Sequence, residues 1–152
     1  MALYVAKVSD SFIRHLASKF LDSHGSMKKL AKDYNSSAGT ISNILYRGVV
    51  DLILSDVTAT AVANKAIETT ENTYRTRTRW QKALRLREAN ILEAQLDYMK
   101  RKAEELRFKV ETYDDFFFDD EFAPSKDSLD FELYNLNEEI KNMTEQIEKL
   151  RG

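Results

Sequence analysis

The chain has no cysteine, one proline and four glycines in 152 residues, and each scarcity removes a class of answer. Without cysteine there is no disulfide framework and no thiolate metal site, which agrees with a reducing compartment. Few breakers predict long helices. No run of about 18 apolar residues occurs, and the opening MALYVAKVSD lacks a basic stretch followed by a hydrophobic one. Neither a membrane span nor a membrane partner is therefore expected, and the expected location is the cytoplasm. There is no glycine-rich phosphate loop. The two histidines, His15 and His24, stand nine apart with no compact carboxylate cluster beside them. The doublets Asp114/Asp115 and Asp119/Asp120 match no calcium loop. No catalytic residue, metal or cofactor is expected, and an enzyme is disfavoured.

What is present is charge and helical periodicity. Charged residues make up 32% of the chain and apolar ones 43%, enough for one conventional domain or a small domain plus an extended element. The net charge of −2 conceals an asymmetry: residues 1–50 and 61–111 each carry a net +4, whereas residues 112–152 carry −8. A basic front suggests a polyanion partner there and a different partner at the acidic end.

Phe12, Ile13, Leu16, Ala17, Phe20 and Leu21 fall on one helical face, with Ser9 or Asp10 as N-cap and Ser23-His24-Gly25 closing the helix. Ser26 is placed to cap a second, short helix burying Met27, Leu30, Ala31 and Tyr34. After a turn at Asn35-Ser36-Ser37, a third helix buries Ile41, Ile44 and Leu45 and ends near Arg47-Gly48, with glycine as a natural C-cap. Residues 49–67 predict one or two further helices, with Leu52, Ile53, Leu54, Val57, Ala61, Val62, Ala66 and Ile67 as core candidates.

The segment MKKLAKDYNSSAGTISNIL, residues 27–45, resembles the helix-turn-helix motif of bacterial and phage DNA-binding proteins. An aliphatic residue followed by a small one (Leu30, Ala31) suits the helix crossing. Asn35 stands where that family often has a glycine of positive φ, and Ile41 and Ile44 match the buried positions of the recognition helix. Ser36 departs from the pattern, which usually has an apolar residue there. The resemblance implies double-stranded DNA as partner. On the outward face, Ser37, Thr40, Ser42, Asn43, Tyr46 and Arg47 are then the base-contact candidates: Asn pairs with adenine, Ser and Thr bond to bases or phosphates, and Arg reaches guanine or phosphate. Lys28, Lys29 and Lys32 would sit on the phosphate backbone. The bland alternative is a small trihelical core with a wet surface.

The stretch TYRTRTRWQKALRLR places six cations among residues 75–87, interleaved with Tyr74 and Trp80. Arg75, Arg77 and Arg79 are further backbone-contact candidates; pairing with the acidic tail is the competing use of the same charges. Beyond it, Ala89, Leu92, Leu96, Met99, Ala103, Leu106 and Val110 form a 3-4 heptad seam, and Leu129, Leu133, Leu136, Ile140, Met143, Ile147 and Leu150 form a second. The two pair either within the chain, as an antiparallel hairpin, or between copies. Between them lies the acidic aromatic loop, residues 112–127, in which Phe116, Phe117, Phe118 and Phe122 either dock into a second protein or cap the hairpin core.

The expected protein is all-α: a helix-turn-helix head over 1–50, connecting helices over 51–72, a long basic helix over 73–111, the loop, and a C-terminal helix over 128–152. The function it suggests is a sequence-specific DNA-binding regulator, self-associated as a dimer, from a bacterium, phage or mobile element. Two alternatives share the layout. One is a DNA-packaging subunit resembling phage small terminases and forming a higher oligomer; the other is a protein-binding inhibitor acting through the acidic loop.

Overall fold

The first helix, α1 (Asp10–Asp22), begins where the Ser9 hydroxyl accepts a hydrogen bond from the Phe12 amide at 3.1 Å, satisfying one of the donors that a helix start leaves open. The structure, a computed structural model, describes residues 5–22, 26–69 and 73–152; Ser23-His24-Gly25, expected to close α1, lie outside them. All regular structure among the described residues is helical.

Helix α2 (Met27–Asp33) has Ser26 at its N-cap position, although the serine side chain makes no capping bond. The chain then turns through Asn35, whose φ of 54° lies in the left-handed region that asparagine tolerates, and the Ser36 amide donates back to the Ala31 carbonyl at 3.0 Å. Helix α3 (Ala38–Val50) starts at Ser37, whose hydroxyl accepts from the Thr40 amide at 3.1 Å. It runs past Arg47-Gly48, where the sequence suggests an end. Gly48 serves a different purpose: a Cβ there would stand 2.6 Å from Ile13 Cγ2 and 3.1 Å from Leu54 Cγ, so the glycine lets α1 and the following turn approach α3. The residue of positive φ is instead Leu52 at 62°, and the Ile53 and Leu54 amides return to the Gly48 carbonyl at 3.1 and 3.0 Å. Helix α4 (Asp56–Glu68), capped by Ser55, is single and packs through Ala59, Val62, Ala63 and Ala66, while Val57, expected inside, is 82% exposed. Its β-branched residues are accommodated because small alanines carry the close contacts.

These helices share one core with Trp80 and Ala83 from the start of α5 (Thr73–Glu111). Residues 51–69 are thus part of the head rather than a connector, residues 70–72 lie outside the described residues, and the first compact unit extends to Asn90 instead of stopping at 50. What draws α5 in is its buried Arg87. The guanidinium donates to the Val49 carbonyl at 2.8 Å, to the Leu54 carbonyl at 2.7 Å and to Asp56 Oδ1 at 2.7 Å, and the Asn90 amide donates to the Val50 carbonyl at 2.8 Å. Two of these carbonyls belong to the last turn of α3, which has no helical partner for them.

The second compact unit covers residues 91–152 and contains the rest of α5, a short α6 (Tyr113–Phe116) and α7 (Lys126–Arg151). Ser125 caps α7, its hydroxyl accepting from the Ser128 amide at 3.1 Å. Arg151 at the end of α7 pairs with Glu93 of α5, so the chain reverses and the two helices run antiparallel. Both heptad seams lie along these two helices. Ala89, Leu96, Ala103, Leu106, Leu129 and Ile147 are buried and the other seam residues half-buried. No helix among the described residues is long and apolar enough to cross a membrane.

Two substitutions test this packing. Replacing Arg87 by methionine strands buried carbonyls and should cost about 2–4 kcal/mol in urea unfolding. Asp56→Asn, at a carboxylate 81% exposed, should cost less than about 1 kcal/mol. Gly48→Ala gains helix propensity of up to about 1 kcal/mol but meets Ile13, and overpacking of this kind costs about 1–3 kcal/mol, so a lowered melting temperature is expected.

Candidate nucleic-acid interface

The residues around α3 divide into an occupied half and an open half. On its C-terminal half, Tyr46 is half-buried and packs edge-on against Trp80 with ring centroids 5.8 Å apart. Arg47 turns onto the N-terminal segment: it donates to the carbonyls of Val5 at 2.8 Å and Val8 at 3.3 Å and lies 3.7 Å from the Asp51 carboxylate. It thereby holds the 3-10 turn Val5–Lys7 on the head. Both were expected to point outward at base edges. The structure gives them internal partners instead, because α5 and the N-terminal turn cover the side of α3 that a free-standing three-helix motif would leave bare.

On the N-terminal half, Ser37, Gly39 and Asn43 are exposed and Thr40 and Ser42 half-exposed. The Ser37 hydroxyl is engaged as the cap and also hydrogen-bonds the Thr40 hydroxyl at 2.9 Å, so these two act as a pair. Asn43 Oδ1 accepts a hydrogen bond from Arg79 of α5 at 2.6 Å. That guanidinium also lies over the Tyr46 ring, 4.4 Å from its centroid, an attraction between cation and π-face that fixes Arg79 against α3. The bond from Arg79 orients the Asn43 amide, leaving its nitrogen as a donor and a second lone pair on its oxygen as an acceptor.

Lys28, Lys29 and Lys32 on α2 are exposed, as are Arg75, Arg77 and Arg79 on α5. A cleft of about 550 Å³ joins the three helix starts, its walls including Met27, Lys28, Ala38, Ser42, Arg79 and Trp80. The first unit as a whole carries fourteen Lys/Arg against eight Asp/Glu, a net +6. Arg87, counted in sequence among the basic run, is spent inside the fold. His15 stands exposed on α1.

Sequence reasoning missed two participants. Trp80 reads as a nucleic-acid aromatic and is a core residue; Arg79 reads as a phosphate contact and is bound to the amide proposed to read bases. One signal was available: Trp80, Ala83, Arg87 and Asn90 recur at 3-4-3 spacing and mark the buried face of α5, but the charge of Arg87 disguises it. The chain matches no family model, and comparison with curated proteins and with solved structures likewise finds no match.

The assignment of Arg47 to the fold is testable by itself. Arg47→Met should lower stability by about 1.5–3 kcal/mol, the range for hydrogen bonds to a charged group. Hydrogen exchange should then quicken around residues 5–8; unchanged exchange there would return Arg47 to the pool of ligand-facing side chains.

Proposed function

We propose that the first unit binds double-stranded DNA in a sequence-dependent manner, as a transcriptional regulator of the helix-turn-helix kind does. The observation that carries this reading is the open, polar N-terminal half of α3 flanked by exposed cations on two other helices, Lys28, Lys29 and Lys32 on α2 and Arg75 and Arg77 on α5. In such a motif the N-terminal residues of the second helix meet base edges while the first helix crosses the phosphates. Thr40, Ser42 and Asn43 are short polar groups suited to that task, and Asn43 can accept from adenine N6 while donating to N7. Arg79 holds this asparagine in one orientation, which lowers the ordering cost of a bidentate contact. Tyr46 and Arg47 are left out of the reading surface. A single head of this size makes few contacts, so useful affinity calls for a second copy of the chain on the same duplex.

The test is a binding isotherm against a selected duplex, repeated over a range of salt. Removing one of Lys28, Lys29 or Lys32 should weaken binding to all sequences and reduce the slope of log K against log salt by about 1. Asn43→Ala should cost about 1–3 kcal/mol at one base position and leave the salt slope intact. An isotherm indifferent to salt, or a duplex preference that survives Asn43→Ala and Thr40→Ala together, would reject the assignment.

A further inference from the structure

The acidic excess of the second unit is confined to one end. Residues 111–134 hold nine Asp/Glu against a single lysine, Lys126, while the remaining residues of that unit, 91–110 and 135–152, hold eight of each sign. The helical shaft is neutral and the closed tip of the hairpin carries the entire −8.

The same tip displays aromatic rings. Tyr113 and Phe117 are half-buried and in contact, their rings tilted at 46° with centroids 5.1 Å apart, and the Tyr113 hydroxyl donates to the Pro124 carbonyl at 2.6 Å, so part of the loop does cap the hairpin. Phe118 and Phe122 take no part in that cap and are 79% and 92% exposed. They flank Asp119, Asp120 and Glu121, and the Asp120 carboxylate bends the backbone by accepting from the Phe122 amide at 3.0 Å. Two bare rings beside three carboxylates fit a receptor with an apolar floor and a cationic rim.

The first unit contains such a receptor. The cleft beside α3 has Met27, Ala38 and Trp80 among its walls, and Lys28 and Arg79 at its rim. Neither cation has a carboxylate partner among the ion pairs of the described residues. We propose that the acidic aromatic tip of one copy docks into this cleft on a second copy, Phe118 or Phe122 entering the cleft and the neighbouring carboxylates meeting Lys28 and Arg79. The interface is heterologous: each chain offers one tip and one cleft, so copies add head to tail until a ring closes or a filament grows. Because Ser42 also lines the cleft and Arg79 holds Asn43, a docked tip covers the surface assigned above to DNA; this consequence alone rests on the DNA reading.

The test needs no DNA, so its failure and the failure of the DNA reading are separate results. Two full-length variants each disable one surface: Phe118→Ser/Phe122→Ser removes the tip anchors, and Lys28→Glu/Arg79→Glu reverses the rim. Light scattering at about 0.01 M salt, where screening is weak, should show wild-type mass rising with concentration, and that rise should vanish at about 1 M salt. Each variant alone should show no rise. An equimolar mixture of the two should reach twice the mass of either and go no further, because one working tip and one working cleft remain. The proposal is overturned if the mixture stays at the mass of its components, or if either variant alone associates as the wild type does.

Discussion

The guanidinium of Arg87 sets where everything in the first unit sits. It gathers the Val49 carbonyl, the Leu54 carbonyl and the Asp56 carboxylate, three acceptors from the end of α3, the turn and the start of α4. A helix end carries partial negative charge on unpaired carbonyls, and a buried cation placed there answers both the charge and the missing donors. Burying an arginine is costly unless its N–H groups are satisfied, and here the two terminal nitrogens supply all three of these bonds. Once the turn is pinned in this way, Ala83 and Trp80, one and two turns earlier on the same face of α5, are carried into the core.

That arrangement changes what α3 can be. A helix intended for a groove must keep a polar face bare, yet α3 is covered by α1, α2 and α4, and additionally by Trp80 against Tyr46 and by the N-terminal turn beneath Arg47. Gly48 permits the tightest of these approaches. The remaining freedom lies in the first two turns, Ser37 to Asn43, and there the fold adds a neighbour instead of a cover: Arg79 binds Asn43 from the side. The result trades length of reading surface for rigidity in the part that is left.

How much of this was legible depends on the kind of signal. The cores of α1, α2 and α3 were readable because Ile13, Leu16, Leu30, Ala31, Ile41 and Ile44 recur at helical spacing, and periodicity reports burial directly. The hairpin's two helices were readable because both seams repeat at 3-4 intervals; that the helices meet within one chain needed the Glu93–Arg151 contact. What escaped were residues whose chemistry points one way and whose surroundings point the other. Arg87 and Arg47 are charged and work inside; Val57 is apolar and faces solvent; Leu52, not a glycine, adopts the positive φ at the end of α3. In each case a tertiary partner overrides the local preference, and no single stretch of sequence names that partner.

Charge follows the same division between local and collective. Within the shaft of the hairpin, acids and bases balance, as they do on many solvated helices, and such balance has no direction. At the tip, uncompensated carboxylates repel one another, and the exposed rings of Phe118 and Phe122 add apolar surface that gains nothing from water. A fold under selection for stability alone would dilute both features, by exchanging an acid for a lysine or a phenylalanine for a polar residue, at little cost to the hairpin seam. Their coexistence on one short stretch is economical only if an external surface offsets both, and a basic cleft with an apolar floor does so in a single contact.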